Sequence, residues 1–227
     1  MSPRPRTVSD EMIVEATARM ISRVGPARLT LADVGGEVGL SPATLLQRFG
    51  SKRGLLRALV EQSVQTVNGR FASVRASSTS ALEAAISAAA EMVEHVRTPE
   101  ELANNLAFFQ IDLSDPDFHG LALEHSRRVR AGYEALLGEA IVAGELIPCD
   151  AAALASALQA VGSGSLLNWA IHREGPVGSW VRADLETLIA PYRPDAATKN
   201  RQRQSGLGAK PGRRTSAESA DMRRQST

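Results

Sequence analysis

Between Thr30 and Leu56 the chain reads TLADVGGEVGLSPATLLQRFGSKRGLL, and start and stop signals inside this run divide it into helices too short to stand alone. Thr30 is an N-cap residue, and Asp33 three positions on completes a Thr-x-x-acid capping box. Leu31, Val34, Gly35 and Val38 then form one apolar stripe on a helix of about two turns. Gly39 stands where that helix must stop, in a left-handed conformation that glycine adopts without steric cost. Leu40 is apolar within the turn and is expected to fill the angle between two helices. Ser41-Pro42 starts a second helix, with the cap followed by proline at the first helical position. Helices this short need tertiary partners to persist. Two of them joined by a glycine turn form a helix-turn-helix pattern, whose physical partner is duplex DNA.

The second helix buries Leu45 and Phe49 and so turns Ala43, Thr44, Gln47 and Arg48 outward. Those small, hydroxyl, amide and guanidinium groups suit base edges and phosphates in a major groove. Gly50 ends the helix and Ser51 caps the next, placing Lys52 and Arg53 in its first turn. Cations there oppose the helix dipole by about 0.3–1 kcal/mol each, so they need an anion. A DNA phosphate would supply it, aided by the free amides of the helix start; the alternative is a solvated pair beside Asp33 or Glu37. The residues assigned to DNA are Thr30, Ser41, Ala43, Thr44, Gln47, Arg48, Lys52 and Arg53.

From about Ser9 to Leu59 the sequence resembles the DNA-binding domain of the TetR family of bacterial transcriptional regulators. The residues that carry the resemblance are Gly25, Leu29-Thr30, Val34-Gly35 and the run from Gly39 to Leu56, GLSPATLLQRFGSKRGLL. The departures are specific. Leu46 stands where the family has a phosphate-binding tyrosine, Arg48 where it has histidine, and Ala43 where it has glycine. Gly35-Gly36 replaces an alanine-containing pair, at about 1 kcal/mol of helix propensity per glycine. Leu46 therefore forfeits one phosphate contact, and Arg48 is expected to restore charge at that edge. Thr44 and Lys52 match, so the resemblance implies the family's phosphate-contact role for them.

Composition fits a helical protein. Hydrophobic residues make up 43% of the 227, only nine are aromatic, and alternating β-branched runs are missing. The single cysteine, Cys149, excludes a disulfide framework within the chain, and no Cys/His spacing suggests zinc. Neither a signal peptide nor an apolar run of membrane-spanning length is present, so a soluble cytoplasmic protein without membrane contact is expected. No cofactor is expected.

The net charge of +1 conceals an asymmetry. Residues 1–57 hold nine Lys and Arg against five Asp and Glu; residues 58–193 hold nine against seventeen; residues 194–227 hold eight against three. Basic ends around an acidic middle put nucleic-acid contact at the ends. Arg4 and Arg6 lie in a proline-spaced arm able to reach a minor groove. Residues 194–227, almost free of apolar side chains, read as a disordered basic tail.

Apolar periodicity predicts helices from Ser9 to Val24, from Ser51 through Val67 to a Ser/Thr-rich break at 75–80, and over 81–96. Further helices are expected from Thr98-Pro99 to Ser114, Asp117 to Ala143, Asp150 to the break at Gly175-Pro176, and Val177 to Ala190. The fold class is all-α, a helix-turn-helix domain over residues 1–57 joined to a helical bundle over 58–193. The resemblance implies that the bundle binds a small-molecule effector and forms a homodimer through its last two helices. Candidate interface residues are Leu158, Gly162, Trp180 and Leu188. Candidate pocket residues are Met92, His95, Asn105, Phe108, Phe109 and Asp112, with Trp169 and His172 farther along, and His125 as a further polar wall.

The expected function is a ligand-responsive repressor that acts as a homodimer on a palindromic DNA operator, since a lone helix-turn-helix reads too few bases. A ligand-independent DNA-binding or architectural protein is the alternative. A helical-bundle enzyme is a third reading, but no Glu-x-x-His pair, Gly-x-Ser-x-Gly elbow or phosphate loop supports it. Glu91, Glu94 and His95 come nearest to a metal set and read better as a solvated face.

Overall fold

The computed structural model describes residues 8–195. The expectations for the arm at Arg4 and Arg6 and for the tail beyond Asp195 lie outside them. Nine α-helices and one short 3-10 turn make up the described residues: α1 (Asp10–Val24), α2 (Leu31–Val38), α3 (Pro42–Phe49), α4 (Lys52–Ser77), α5 (Ala81–Val93), α6 (Pro99–Ser114), α7 (Pro116–Val142), α8 (Ala151–His172) and α9 (Val177–Ile189), then Ala190–Tyr192. Their starts follow from local chemistry. Ser9, Thr30, Ser41, Ser51, Ser80, Thr98, Asp115 and Asp150 each accept a hydrogen bond from a backbone amide in the first turn of the helix they precede. Only α9, which follows Pro176, begins without a side-chain cap.

The helix expected over 81–96 stops at Val93. Val96 is instead buried with Leu102, Trp169 and Val177, a small cluster that closes one end of the bundle. Burying that valine outweighs one more turn of helix.

Two larger cores organise the chain. The first joins Ile13, Ile21, Val34, Leu45 and Leu55. It also takes in Phe118 from α7, 1% exposed, so the bundle supplies a side chain to the core of the helix-turn-helix unit. The second core gathers the later turns of α4 with α5, α7, α8 and α9. Helix α5 lies deep within it because Ala81, Ala84, Ala85, Ala88 and Ala89 let neighbouring backbones approach closely. The sequence boundary at residue 57 falls inside α4, which runs without a break from one core to the other: Leu55 and Val60 belong to the first, Val67 and Phe71 to the second.

Close approach also explains Gly132 on α7. A Cβ there would lie 2.6–2.7 Å from atoms of the Phe71 ring, which packs edge-on against Tyr133 at 5.0 Å between centroids.

Candidate nucleic-acid interface

The turn between α2 and α3 is built from hydrogen bonds that all converge on Gly35. The amides of Gly39 and Leu40 both donate to its carbonyl, with Gly39 in the left-handed region at φ +71°. The chain then doubles back so tightly that a Cβ at position 35 would sit 2.4 Å from the Leu40 carbonyl oxygen. Gly36, one residue on, faces open space. The two glycines therefore differ in kind: one makes the turn possible, the other only costs helix propensity.

Thr30 and Asp33 close the expected capping box, and Thr30 hydrogen bonds hold the Asp33 carboxyl below the ordinary carboxylate range. Ser41 Oγ accepts from the Thr44 amide at 3.1 Å and lies 2.9 Å from the Thr44 hydroxyl. Leu45 is fully buried, which locks the helix by one side chain and presents Ala43, Leu46 and Gln47 to solvent. Leu46 is 51% exposed, so α3 offers an aliphatic surface where the sequence pattern had suggested only a lost phosphate contact.

The cations have partners that the sequence did not indicate. Arg48 pairs with Asp10 and donates to the Val8 carbonyl, tying the end of α3 to the start of α1. Lys52 Nζ donates to the Pro26 carbonyl at 2.6 Å. Arg53, expected at a DNA phosphate or, as the alternative, beside Asp33 or Glu37, meets neither of those two carboxylates. Its guanidinium bonds Asp115 and Asp117 where α6 passes into α7 and lies 5.0 Å over the Phe118 ring. That pairing holds the Asp115 carboxyl low. Glu37 instead takes Arg19 and Arg23. The sequence pattern ends one helix near Ser114-Asp115-Pro116 and begins the next near Asp117; the role of Asp115 and Asp117 as the clamp on Arg53 was not legible.

The residues expected to line one pocket are distributed. His95, Asn105 and Phe108 border a cavity of about 460 Å³ between α1, α4 and α6. Phe108, Phe109 and Asp112 border a second, of about 590 Å³, whose other walls are α4, α7 and α8. Leu59 and Phe108 line both, so the cavities adjoin. His125 lines the second, with Ser63, His119, Ser126 and Gln159, which sequence reasoning missed. Met92 and His172 lie elsewhere, which corrects their assignment, and Trp169 lines a separate cavity of about 430 Å³ beside the start of α9. Met92 faces the Tyr133 hydroxyl, Trp169 donates to the Gly175 carbonyl inside the small end cluster, and exposed His172 stacks on Trp180. Among the described residues no group of His, Cys, Asp and Glu could hold a metal ion.

Among the candidate interface residues, Leu158 is fully buried in its own chain's core and has no surface to offer a partner. Gly162 faces Val181 on α9, Leu188 packs against the large core, and Trp180 is half-buried. The exposed face of α8 consists of Ala152, Ser156, Ala160, Ser163, Leu167 and Ile171, on a helix with no charged residue. Ile171 is 76% exposed.

Residues 13–59 match the sequence model of a family described as bacterial regulatory proteins, tetR family. No curated protein matches the sequence. Among solved structures, a TetR transcription regulator from Haloarcula marismortui is similar at a TM-score of 0.67 and 18% identity, over 82% of this chain and 98% of that one. A TetR-family transcriptional regulator from Agrobacterium tumefaciens gives 0.64 and 21%, over 82% and 97%. A transcriptional regulator from Saccharomonospora viridis in complex with choline gives 0.64 and 21%, over 80% and 95%. No helix among the described residues is long and apolar enough to cross a membrane.

Proposed function

We propose that this chain, whose residues 13–59 match the family described as bacterial regulatory proteins, tetR family, is a ligand-responsive repressor acting as a homodimer on a palindromic operator in the cytoplasm. The observation that carries this reading is the Arg53 clamp. Arg53 stands in the first turn after the recognition helix, where the resemblance looks for phosphate contacts. Its partners belong to the bundle helices that also wall the larger cavity. A ligand that shifts α6 or the start of α7 changes how α4 and the helix-turn-helix unit are held.

The uncharged, exposed face of α8 supports dimerisation: a helix this apolar needs cover, and a second copy supplies it with two-fold symmetry. The fold relative that holds choline supports a small organic molecule as the effector class. On DNA, Gln47 suits adenine, while Ala43 and Leu46 suit thymine methyl groups, so half-sites rich in A·T pairs are expected. Thr44 and Lys52 serve the backbone, and Thr30 and Ser41 hold the helix starts that flank it.

Selection of bound sequences from random duplex DNA tests the reading. An inverted repeat with half-sites about one helical turn apart is expected. Enrichment of a single unrepeated site would contradict the homodimer, and no enrichment would contradict operator recognition.

A further inference from the structure

The 590 Å³ cavity holds two buried oxygens that accept no hydrogen bond, Asp112 Oδ1 on α6 and Gln159 Oε1 on α8. Gln159 spends its amide nitrogen on Ser126 Oγ at 3.1 Å. Asp112 has no such partner. Among the described residues no Lys or Arg lines this cavity, and the titratable groups facing Asp112 across it are His119 and His125 of α7. Burial alone pushes the Asp112 carboxyl up to about 6, with no charge opposing it. At neutral pH the group is therefore largely ionised, poorly hydrated and uncompensated, an arrangement that a protein stabilises only by supplying a cation or donor.

Much of the cavity's remaining lining is carbon, beside the hydroxyls of Ser63, Ser126 and Ser163. Phe109, Leu113 and Leu123, between 41% and 61% exposed, border it and leave carbon surface in water. Phe108 and Phe109 border the cavity, and the face of an aromatic ring attracts a cation. The volume lies within the range of small-molecule sites.

We infer that this cavity takes an amphipathic organic cation, an amine with an apolar body, its ammonium on Asp112 and its body on Phe109, Leu113 and Leu123. A neutral donor would leave the carboxylate uncompensated, and an organic acid would set a second negative charge beside it. The regulatory meaning of this binding rests on the ligand-responsive reading above; the binding itself does not.

The test uses three probes with one body and three heads, 4-phenylbutylamine, 4-phenylbutanol and 4-phenylbutyrate, titrated calorimetrically into the full chain at pH 7.5. The amine binds roughly tenfold or more tighter than the alcohol, and the acid binds weakest. Asp112→Asn brings the amine down to the level of the alcohol. Lowering the wild-type protein to pH 5 does the same without any substitution, because Asp112 takes up a proton and no longer attracts a cation. Equal or stronger binding of the alcohol or acid, a preference that survives both treatments, or no binding of the three at millimolar concentration overturns the inference. Each probe is then added to the protein on its selected operator. Amine binding that depends on Asp112 but leaves DNA affinity unchanged keeps the inference and removes the ligand-responsive reading. Release of DNA by the alcohol or acid alone does the reverse.

Discussion

In the helix-turn-helix unit the cap oxygens of Thr30, Ser41 and Ser51 each hold a backbone amide three residues away. Across the bundle, Asn105 Nδ2, Asp112 Oδ1 and Gln159 Oε1 are buried with no partner, and all three residues line cavities. One region satisfies itself; the other leaves buried polar atoms unpaired. The difference fits the work proposed for each. A recognition helix must keep one orientation against a rigid duplex, so local satisfaction serves it. A ligand-responsive bundle needs groups whose energy improves on binding, and an unpaired buried carboxylate is such a group.

Substitutions can break this comparison, beginning with the largest effect. Leu45→Ala removes the fully buried side chain that seats α3 and should cost about 2–4 kcal/mol by denaturant unfolding, with loss of DNA binding. A cost near zero would show that the helix-turn-helix unit does not depend on its core.

Asp112→Asn should act the opposite way and raise stability by about 1–2 kcal/mol at pH 7.5. The folded-state pKa is raised, so the wild-type protein loses stability as pH rises through about 6. The advantage of the variant should therefore shrink as pH falls from about 6 toward 4. A pH-independent gain would point to packing rather than charge.

Thr30→Ala, which opens the capping box, should cost about 1 kcal/mol. The smallest effect sharpens the comparison within α2 itself. Gly36→Ala, with open space around its Cβ, should stabilise by about 0.5–1 kcal/mol, whereas Gly35→Ala should destabilise because the Leu40 carbonyl stands in the way. Equal effects at the two positions would mean that the turn is looser than its hydrogen bonds indicate.

Much of the architecture was legible in the sequence. The helix starts at Thr30, Ser41, Ser51, Thr98 and Asp150 could be read from caps, and the face of α3 followed from Leu45 and Phe49. The destinations of long side chains were not legible. Periodicity turned Arg48 and Arg53 outward, but Asp10 and Asp115 lie far along the chain from them and are reached only when α1, and then the α6–α7 junction, pack beside α3 and α4. Leu158 and Ile171 share an uncharged helix, and only the position of α9 and the large core decides that the first is buried and the second exposed. Phe108 and Trp169 read alike as aromatic wall residues of one pocket, yet one borders two adjoining cavities and the other lines a separate one at the bundle end.

The sequence by itself determined where helices begin, where the glycine turn falls and which residues of α3 face out. Those features depend on groups within about one turn of each other. Tertiary structure alone decided that Arg53 is clamped by the bundle and that Asp112 is buried without a counter-charge. Both depend on which helices meet, and that is set by the burial of apolar faces from the whole chain rather than by any local pattern.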